Sequence, residues 1–313
     1  MYEYYINNKI VKNIINPSYS DDLETYANAF SFSTDFEIEA GSIFEIRSPG
    51  ENKTVLKGVI TDYSQNRRDI LSYSGYDFGF YINQNEVIEQ FSDMKISDAI
   101  SKLCRSYQIP CGTIPQTQAR IKDIYKDRRL SEVFSELIAL AQKKGEYKDV
   151  YFTCSSGKFE ILSYERKSDL SAIMSEALKT SIDNTINSLN IKVSMNELKN
   201  SVVIADNKEN LSKKVTVRDD ESIKKYGFLQ TVEVLDMSTT NNIQKLAQDM
   251  LKDLNKLICS IELSVLSDYR LHKGVIIPIN LPVYKISGDF LVTSSTHNIT
   301  KTKESVTVAL KMV

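Results

Sequence analysis

From Phe30 to Ile82 apolar and polar residues alternate at a period close to two: Phe30 and Phe32, Phe36 and Ile38, then Ile43, Phe44 and Ile46, then Val55, Val59 and Tyr63. Successive side chains of a strand point to opposite faces of a sheet, so this pattern predicts short strands with one buried face. Ser48-Pro49-Gly50-Glu51-Asn52 and Gln65-Asn66-Arg67-Arg68-Asp69 are turn clusters between them. Short strands joined by tight turns point to a small barrel or sandwich rather than a parallel sheet with crossover helices.

The period then lengthens. Ile96, Ile100, Leu103 and Tyr107 recur at helical spacing after Ser97-Asp98, and Pro110 requires the helix to end before it. Leu130, Val133, Phe134, Leu137, Ile138 and Ala141 make a second helical stripe, with Lys143, Lys144 and Gly145 as its C-terminal signals. Val150 to Thr153 and Phe159 to Leu162, joined through Ser155-Ser156-Gly157-Lys158, predict a hairpin. Residues 165–187 are polar and serine-rich and are the best linker candidate. Strands resume at 189–193 and 201–205, before the hydrophilic stretch 206–220. Ile243, Leu246, Ala247, Met250, Leu251 and Leu254 predict one further helix, with capping residues in Thr239-Thr240-Asn241. Strands are expected from Ser260 to Val313.

One short β-signature occurs twice. Gly41 enters Ile43–Ile46 and Gly58 enters Val59–Thr61; far downstream, Gly274 enters Val275–Ile277 and Gly288 enters Phe290–Val292. The expected fold is α+β, mainly β, with two small β-barrel domains joined by a helix-plus-hairpin segment. Its domains are expected at 1–92 (N-terminal barrel), 93–187 (helices, hairpin and linker) and 188–313 (C-terminal barrel with an inserted helix over 239–256).

Composition narrows the function classes. The chain has 313 residues, 42% of them hydrophobic, which allows two or three ordinary cores. Its longest apolar runs fall far short of the roughly 20 residues of a membrane-spanning helix, so no membrane insertion is expected. Met1-Tyr2-Glu3-Tyr4-Tyr5 has neither a basic n-region nor an apolar h-region, which leaves cytoplasmic folding as the expectation. Net charge is −2, yet residues 1–92 carry 7 basic and 14 acidic side chains and residues 93–313 carry 32 and 27, giving −7 and +5. Such asymmetry fits either an accident of surface composition or a contact between unlike regions of neighbouring copies.

Chemistry is sparse. Cys104, Cys111, Cys154 and Cys259 show no C-x-x-C spacing and suit reduced thiols better than a disulfide framework or zinc site. His297, in Ser294-Ser295-Thr296-His297-Asn298, invites a hydrolase reading, but no G-x-S-x-G elbow accompanies it and a structural hydrogen bond suits it better. His272 has a weaker case. Asp219-Asp220-Glu221 reads as the acidic start of a helical turn over Ser222–Tyr226, closed by Gly227, rather than as a pair of glycosidase carboxyls. Neither G-x-G-x-x-G nor G-x-x-x-x-G-K-[ST] occurs. Lys122, Lys126, Arg128 and Arg129 surround Tyr125 as a modest basic patch with a possible stacking ring, while the acidic N-terminal region opposes phosphate binding. The expectation is no catalytic residue, no metal, no cofactor and no specific nucleic acid.

Three motifs carry a resemblance: Gly41–Ile46 with Leu56–Ile60 and Tyr76–Asn83; Asp220–Gln230; and Leu271–Val275 with Gly288–Val292 and Ser295–Ile299. In this order they resemble phage tail baseplate hub proteins of the XkdQ/YqbQ type, related to the hub-like part of VgrG proteins. The resemblance implies a non-enzymatic structural hub with two barrels per chain. Three chains would then form a pseudo-six-fold ring joining a six-fold tail tube above to a three-fold spike below. It also implies baseplate wedge or LysM-type tail proteins as further partners, assembly in the bacterial cytoplasm, and later release by lysis in a tail particle or virion. A phage, a tailocin and another contractile injection system all fit. The alternatives are a tail-associated cell-wall hydrolase or peptidase and an OB-like nucleic-acid or glycan binder.

Overall fold

A computed structural model describes residues 2–67, 70–170, 188–206, 214–235, 242–266, 268–281, 286–300 and 304–313. Strands make up 52% and helices 19%, which bears out the mainly-β, α+β class. The first strands are β1 (Glu3–Ile6), β2 (Lys9–Val11), β3 (Ile15–Asp22), β4 (Ala29–Thr34), β5 (Ile43–Arg47), β6 (Thr54–Arg67) and β7 (Ile70–Asp77). Then come α1 (Gly79–Gln84), β8 (Glu86–Lys95), α2 (Ile96–Ser106), β9 (Arg120–Arg129), α3 (Leu130–Lys143), β10 (Val150–Thr153), β11 (Glu160–Ser163) and β12 (Glu165–Arg166). Strands β13 (Ser188–Ser194), β14 (Ser201–Asp206) and β15 (Lys214–Arg218) precede α4 (Asp220–Tyr226), β16 (Gln230–Leu235) and α5 (Ile243–Leu254). The chain closes with β17 (Ile258–Leu266), β18 (Val275–Leu281), β19 (Ile286–Ile299) and β20 (Glu304–Met312).

Contacts divide the chain into two compact units, Met1–Leu189 with Glu262–Lys311, and Asn190–Ile261. In the first, the strands run β2-β1-β5-β6-β7-β4-β3-β19-β20-β17, with β18 also pairing β19. Two small β-barrel domains are expected from the sequence; among the described residues no closed barrel is found, and strands from both ends of the chain share one sheet. The physical reason is the length of β19, whose 14 residues exceed what its hairpin partner needs. Its first part pairs β18 from Ile286↔Leu281 to Leu291↔Ile276, and its second part pairs β3 from Ser294↔Asp22 to Asn298↔Ser18.

The repeated glycine signature proves to be a repeated hairpin. Ile43 faces Val59 and Phe44 faces Gly58 in β5 and β6; Ile276 faces Leu291 and Ile277 faces Phe290 in β18 and β19. Two residues before each first pair, Gly41 (φ +87°) and Gly274 (φ +84°) turn left-handed. Each then donates its N–H across the hairpin, to the Ile60 carbonyl at 2.8 Å and the Val292 carbonyl at 3.0 Å. The acceptors occupy equivalent register positions, one residue beyond Val59 and Leu291. The second glycines are not equivalent: Gly58 lies opposite the third residue after Gly41, whereas Gly288 lies opposite Ile279, the fifth after Gly274.

Among the described residues, two clusters of buried side chains in this unit lie under its N-terminal strands and around its helices. Phe30, Phe32, Phe44, Ile46, Leu56, Ile60 and Tyr73 form one beneath the N-terminal strands, where the Phe32 and Phe44 rings stack at 4.3 Å. The other brings α2 and the α3 stripe from Leu130 to Ala141 against Val87, Phe91, Ile121, Phe159 and Ile161. Each such side chain withdraws apolar area equivalent to about 1.5–3 kcal/mol. Strands β8 and β9 pair as a long ribbon, and β10 and β11 form the expected hairpin with Gly157 at φ +82°. The alternating pattern ends earlier than its aromatics suggest: β7 stops at Asp77, whose Oδ1 accepts the Gly79 N–H at 2.9 Å as α1 begins. Within the expected linker, Glu165 and Arg166 pair in parallel with Val275 and Ile276, and 171–187 lie outside the described residues.

In the second unit β14 pairs β15 antiparallel and β16 in parallel. Helix α5 covers one face of this sheet, with Val202, Ile204 and Ala247 at the centre. The sequence places its cap in 239–241, which lie outside the described residues. Asn242 performs the role, its Oδ1 accepting the Lys245 N–H at 3.2 Å.

Candidate functional site

The residues with catalytic promise in the sequence have structural work in the fold. His297 is fully buried on β19, its Nε2 lies 3.0 Å from the Leu271 carbonyl, and its ring stacks on Tyr19 at 4.3 Å. Burial lowers its pKa to about 4, so the ring is neutral at physiological pH. The structural hydrogen bond expected of it is present. Ser295 bonds Asp21 rather than the histidine. Asp219 caps α4 by accepting the Ser222 N–H at 2.9 Å and the Asn255 amide at 2.8 Å, and Asp220 pairs with Arg218. Gly227 ends the turn at φ +85°, in agreement with the reading of this acidic run as a helix start. Tyr125 is buried and donates to Glu136 at 3.1 Å, and Arg128 pairs with Glu132, so no stacking ring faces solvent in the basic patch. No group of three metal-ligating side chains occurs among the described residues.

A polar seam lies where β18 gives way to β3 along one edge of β19, and the sequence does not reveal it. Leu23 N–H donates to the Thr293 carbonyl beside the Gly274 bond to Val292, so the two ends of the chain meet across one peptide of β19. The Asp21 carboxylate there accepts the Ser295 N–H (3.0 Å), the Ser295 hydroxyl (2.9 Å) and the Lys273 N–H (3.2 and 3.3 Å to its two oxygens). Lys273 is buried to its tip. Its ammonium donates to the carbonyls of Asp22 at 2.9 Å and Thr25 at 3.3 Å. Burial pulls the amine pKa down while Asp21 and Asp77 oppose that fall; burial pushes Asp21 up while Lys273 and His272 restrain it. Asp77 is raised to about 7, chiefly by burial, with its Oδ2 unpartnered. Gly274 closes the seam against Tyr151: a Cβ there would stand 2.3 Å from the ring.

A cavity of about 410 Å³ opens over the seam, lined by Tyr19, Asp21, Tyr151, Arg270, His272 and Lys273 among others. The cations at its rim are already engaged, Arg270 with Asp268 and Asp169, Lys53 with Glu51 and Lys167 with Glu165. Its Asp21 and Lys273 tie neighbouring strands together. Exposed apolar side chains lie elsewhere. On the β8–β9 ribbon Ile88 is 80% and Ile124 53% exposed, beside exposed Lys122 and Lys126. In the second unit Val232 and Val234 stand exposed on the face of β16 away from α5.

With this geometry in view, comparison with known proteins gives a consistent result. A family model described as YqbQ-like matches residues 13–311. The uncharacterized protein YqbQ of Bacillus subtilis is 25% identical over 264 residues, covering 82% of this chain and 78% of its own. The phage-like element PBSX protein XkdQ of the same organism is 24% identical over 265 residues, with the same coverage. Among solved structures, the 43 kDa tail protein of prophage MuSo2 from Shewanella oneidensis shares the fold with a TM-score of 0.70 at 13% identity, over 99% of this chain and 97% of its own. An Escherichia coli component of the type VI secretion system, described as structurally similar to T4 bacteriophage tail proteins, aligns with a TM-score of 0.54 at 10% identity, over 99% and 76%.

Proposed function

This chain belongs to the YqbQ-like family, and from that membership we propose that it is a non-enzymatic structural hub of a phage-type tail baseplate. The observation that carries the proposal is the end-to-end fold likeness to a prophage tail protein, which leaves no large part of either chain unmatched. The buried, neutral His297 and the strand-joining role of Asp21 and Lys273 support a structural rather than a hydrolytic reading.

In this proposal three chains close into a ring that joins a six-fold tail tube to a three-fold spike. A trimer offers six similar surfaces only if each chain supplies two. The equivalent hairpins entered by Gly41 and Gly274, whose strands are members of one sheet, support that duplication. Native mass measurement of the purified chain tests this directly. The expected species is a trimer of the 35.6 kDa chain; a monomer or dimer at every concentration overturns the ring.

A further inference from the structure

Pairing fixes which side chains the β8–β9 ribbon turns outward. Glu89 faces Tyr125 and Phe91 faces Asp123; Tyr125 and Phe91 are buried, so this face lies on the helical core. On the opposite face Ile88 pairs with Lys126 and Gln90 with Ile124, and strand alternation adds Lys122. All five of these side chains are exposed. Two isoleucines therefore stand in solvent between two lysines, while the Glu89 and Asp123 carboxylates belong to the other face. Strands β8 and β9 pair only with each other among the described residues, which leaves both ribbon edges open as well.

A complementary surface lies in the same compact unit. Strand β2 ends the large sheet, and its Ile10 is 56% exposed. Residues 35–39 alternate exposed Asp35, Glu37 and Glu39 with half-buried Phe36 and Ile38. This segment runs beside the β1–β2 hairpin: the Asn13 amide donates to Asp35 Oδ2 at 3.4 Å, and the Asn7 N–H to the Ile43 carbonyl at 2.9 Å. One patch thus joins isoleucines to lysines and the other joins an isoleucine to carboxylates. A ring with an odd number of copies cannot be closed by a patch that meets itself, so every junction needs two unlike patches. We propose that the outer face of the β8–β9 ribbon in one copy docks on the Ile10 and 35–39 surface of the next copy, with Lys122 and Lys126 meeting Glu37 and Glu39 around Ile88 and Ile124. Burial of the isoleucines supplies affinity and the opposed charges fix the register. The contact rests on the trimeric ring proposed above for the number of copies alone.

Charge reversal in the intact chain, followed by sedimentation, tests this junction. Lys122→Glu with Lys126→Glu, or Glu37→Lys with Glu39→Lys, sets like charges across it and is expected to lower the assembled fraction about tenfold or more. The melting temperature should not change, because all four positions are exposed. A chain carrying all four substitutions restores opposite charges and is expected to assemble as the parent does, a recovery that a folding defect would not allow. Assembly undisturbed by either reversal, or not recovered when the two are combined, overturns the contact and leaves the ring standing. An assembly of another number that obeys the same pattern supports the contact and overturns the ring; a parent chain that never associates overturns both.

Discussion

At the residue scale the seam explains how buried ionisable groups coexist in a scaffold without evident chemistry. Asp77 and His297 have opposite linkage to pH. The folded pKa of Asp77 is raised from 3.8 to about 7, so the native state binds its proton more tightly, and its effect on stability worsens as pH rises from about 4 to 7. That of His297 is lowered from 6.5 to about 4, so the unfolded state binds more protons and stability rises over nearly the same window. Each effect is on the order of 3–4 kcal/mol, and they largely cancel. In urea titrations of the parent chain between pH 4 and 7 these two contributions are therefore expected to oppose one another. Asp77→Asn is expected to uncover a rise of stability with pH and His297→Phe a fall; a flat profile in both variants contradicts the assignment. Asp21→Ala removes the acceptor of Ser295 and leaves the Lys273 ammonium buried with less compensation. It should cost about 3–5 kcal/mol by the same measurement, and a loss below about 1 kcal/mol would remove the seam as a determinant of the fold.

At the element scale, legibility followed periodicity. The α3 stripe, the 150–162 hairpin and the alternation from Phe30 onward were readable because one side chain in two or in three to four is buried. Strand β9 was not: only Ile121 and Tyr125 of Arg120–Arg129 are buried, and its charged remainder reads as a solvent-facing patch. The double partnership of β19 was hidden as well, because a strand's sequence records which face is buried and not which neighbour lies along each edge. The polar seam follows from that pairing, so Asp21, 252 residues from Lys273 and 274 from Ser295 in chain order, gave no local signal. The glycine repeat was legible, and its two members separate in a way that can be measured. A Cβ at Gly41 meets nothing within 4 Å, whereas one at Gly274 meets Tyr151. Gly41→Ala should cost only the left-handed backbone, about 1–2 kcal/mol. Gly274→Ala adds a collision inside the seam and should cost at least about 1 kcal/mol more; equal losses in chemical denaturation would mean that Tyr151 simply moves aside.

At the scale of the whole molecule, folding rearranges the charge asymmetry of the sequence. Sorted by compact unit, Asn190–Ile261 carries 11 basic and 10 acidic side chains, a net of +1, and the remainder carries 28 and 31, a net of −3. The contrast of −7 and +5 between sequence segments is therefore diluted, and any electrostatic contribution to ring closure must come from local patches. On the proposed trimer, the fraction assembled should fall modestly between low and high salt in sedimentation experiments, while complete insensitivity would assign closure to apolar contacts such as those offered by Ile88 and Ile124. The central claim is that one chain, used three times, presents six similar surfaces. Electron-microscopic class averages of the purified assembly viewed down its axis test this most directly. The account predicts a closed three-fold ring with six similar lobes around a central channel, and a monomeric particle, or a ring with any other number of lobes, would contradict it.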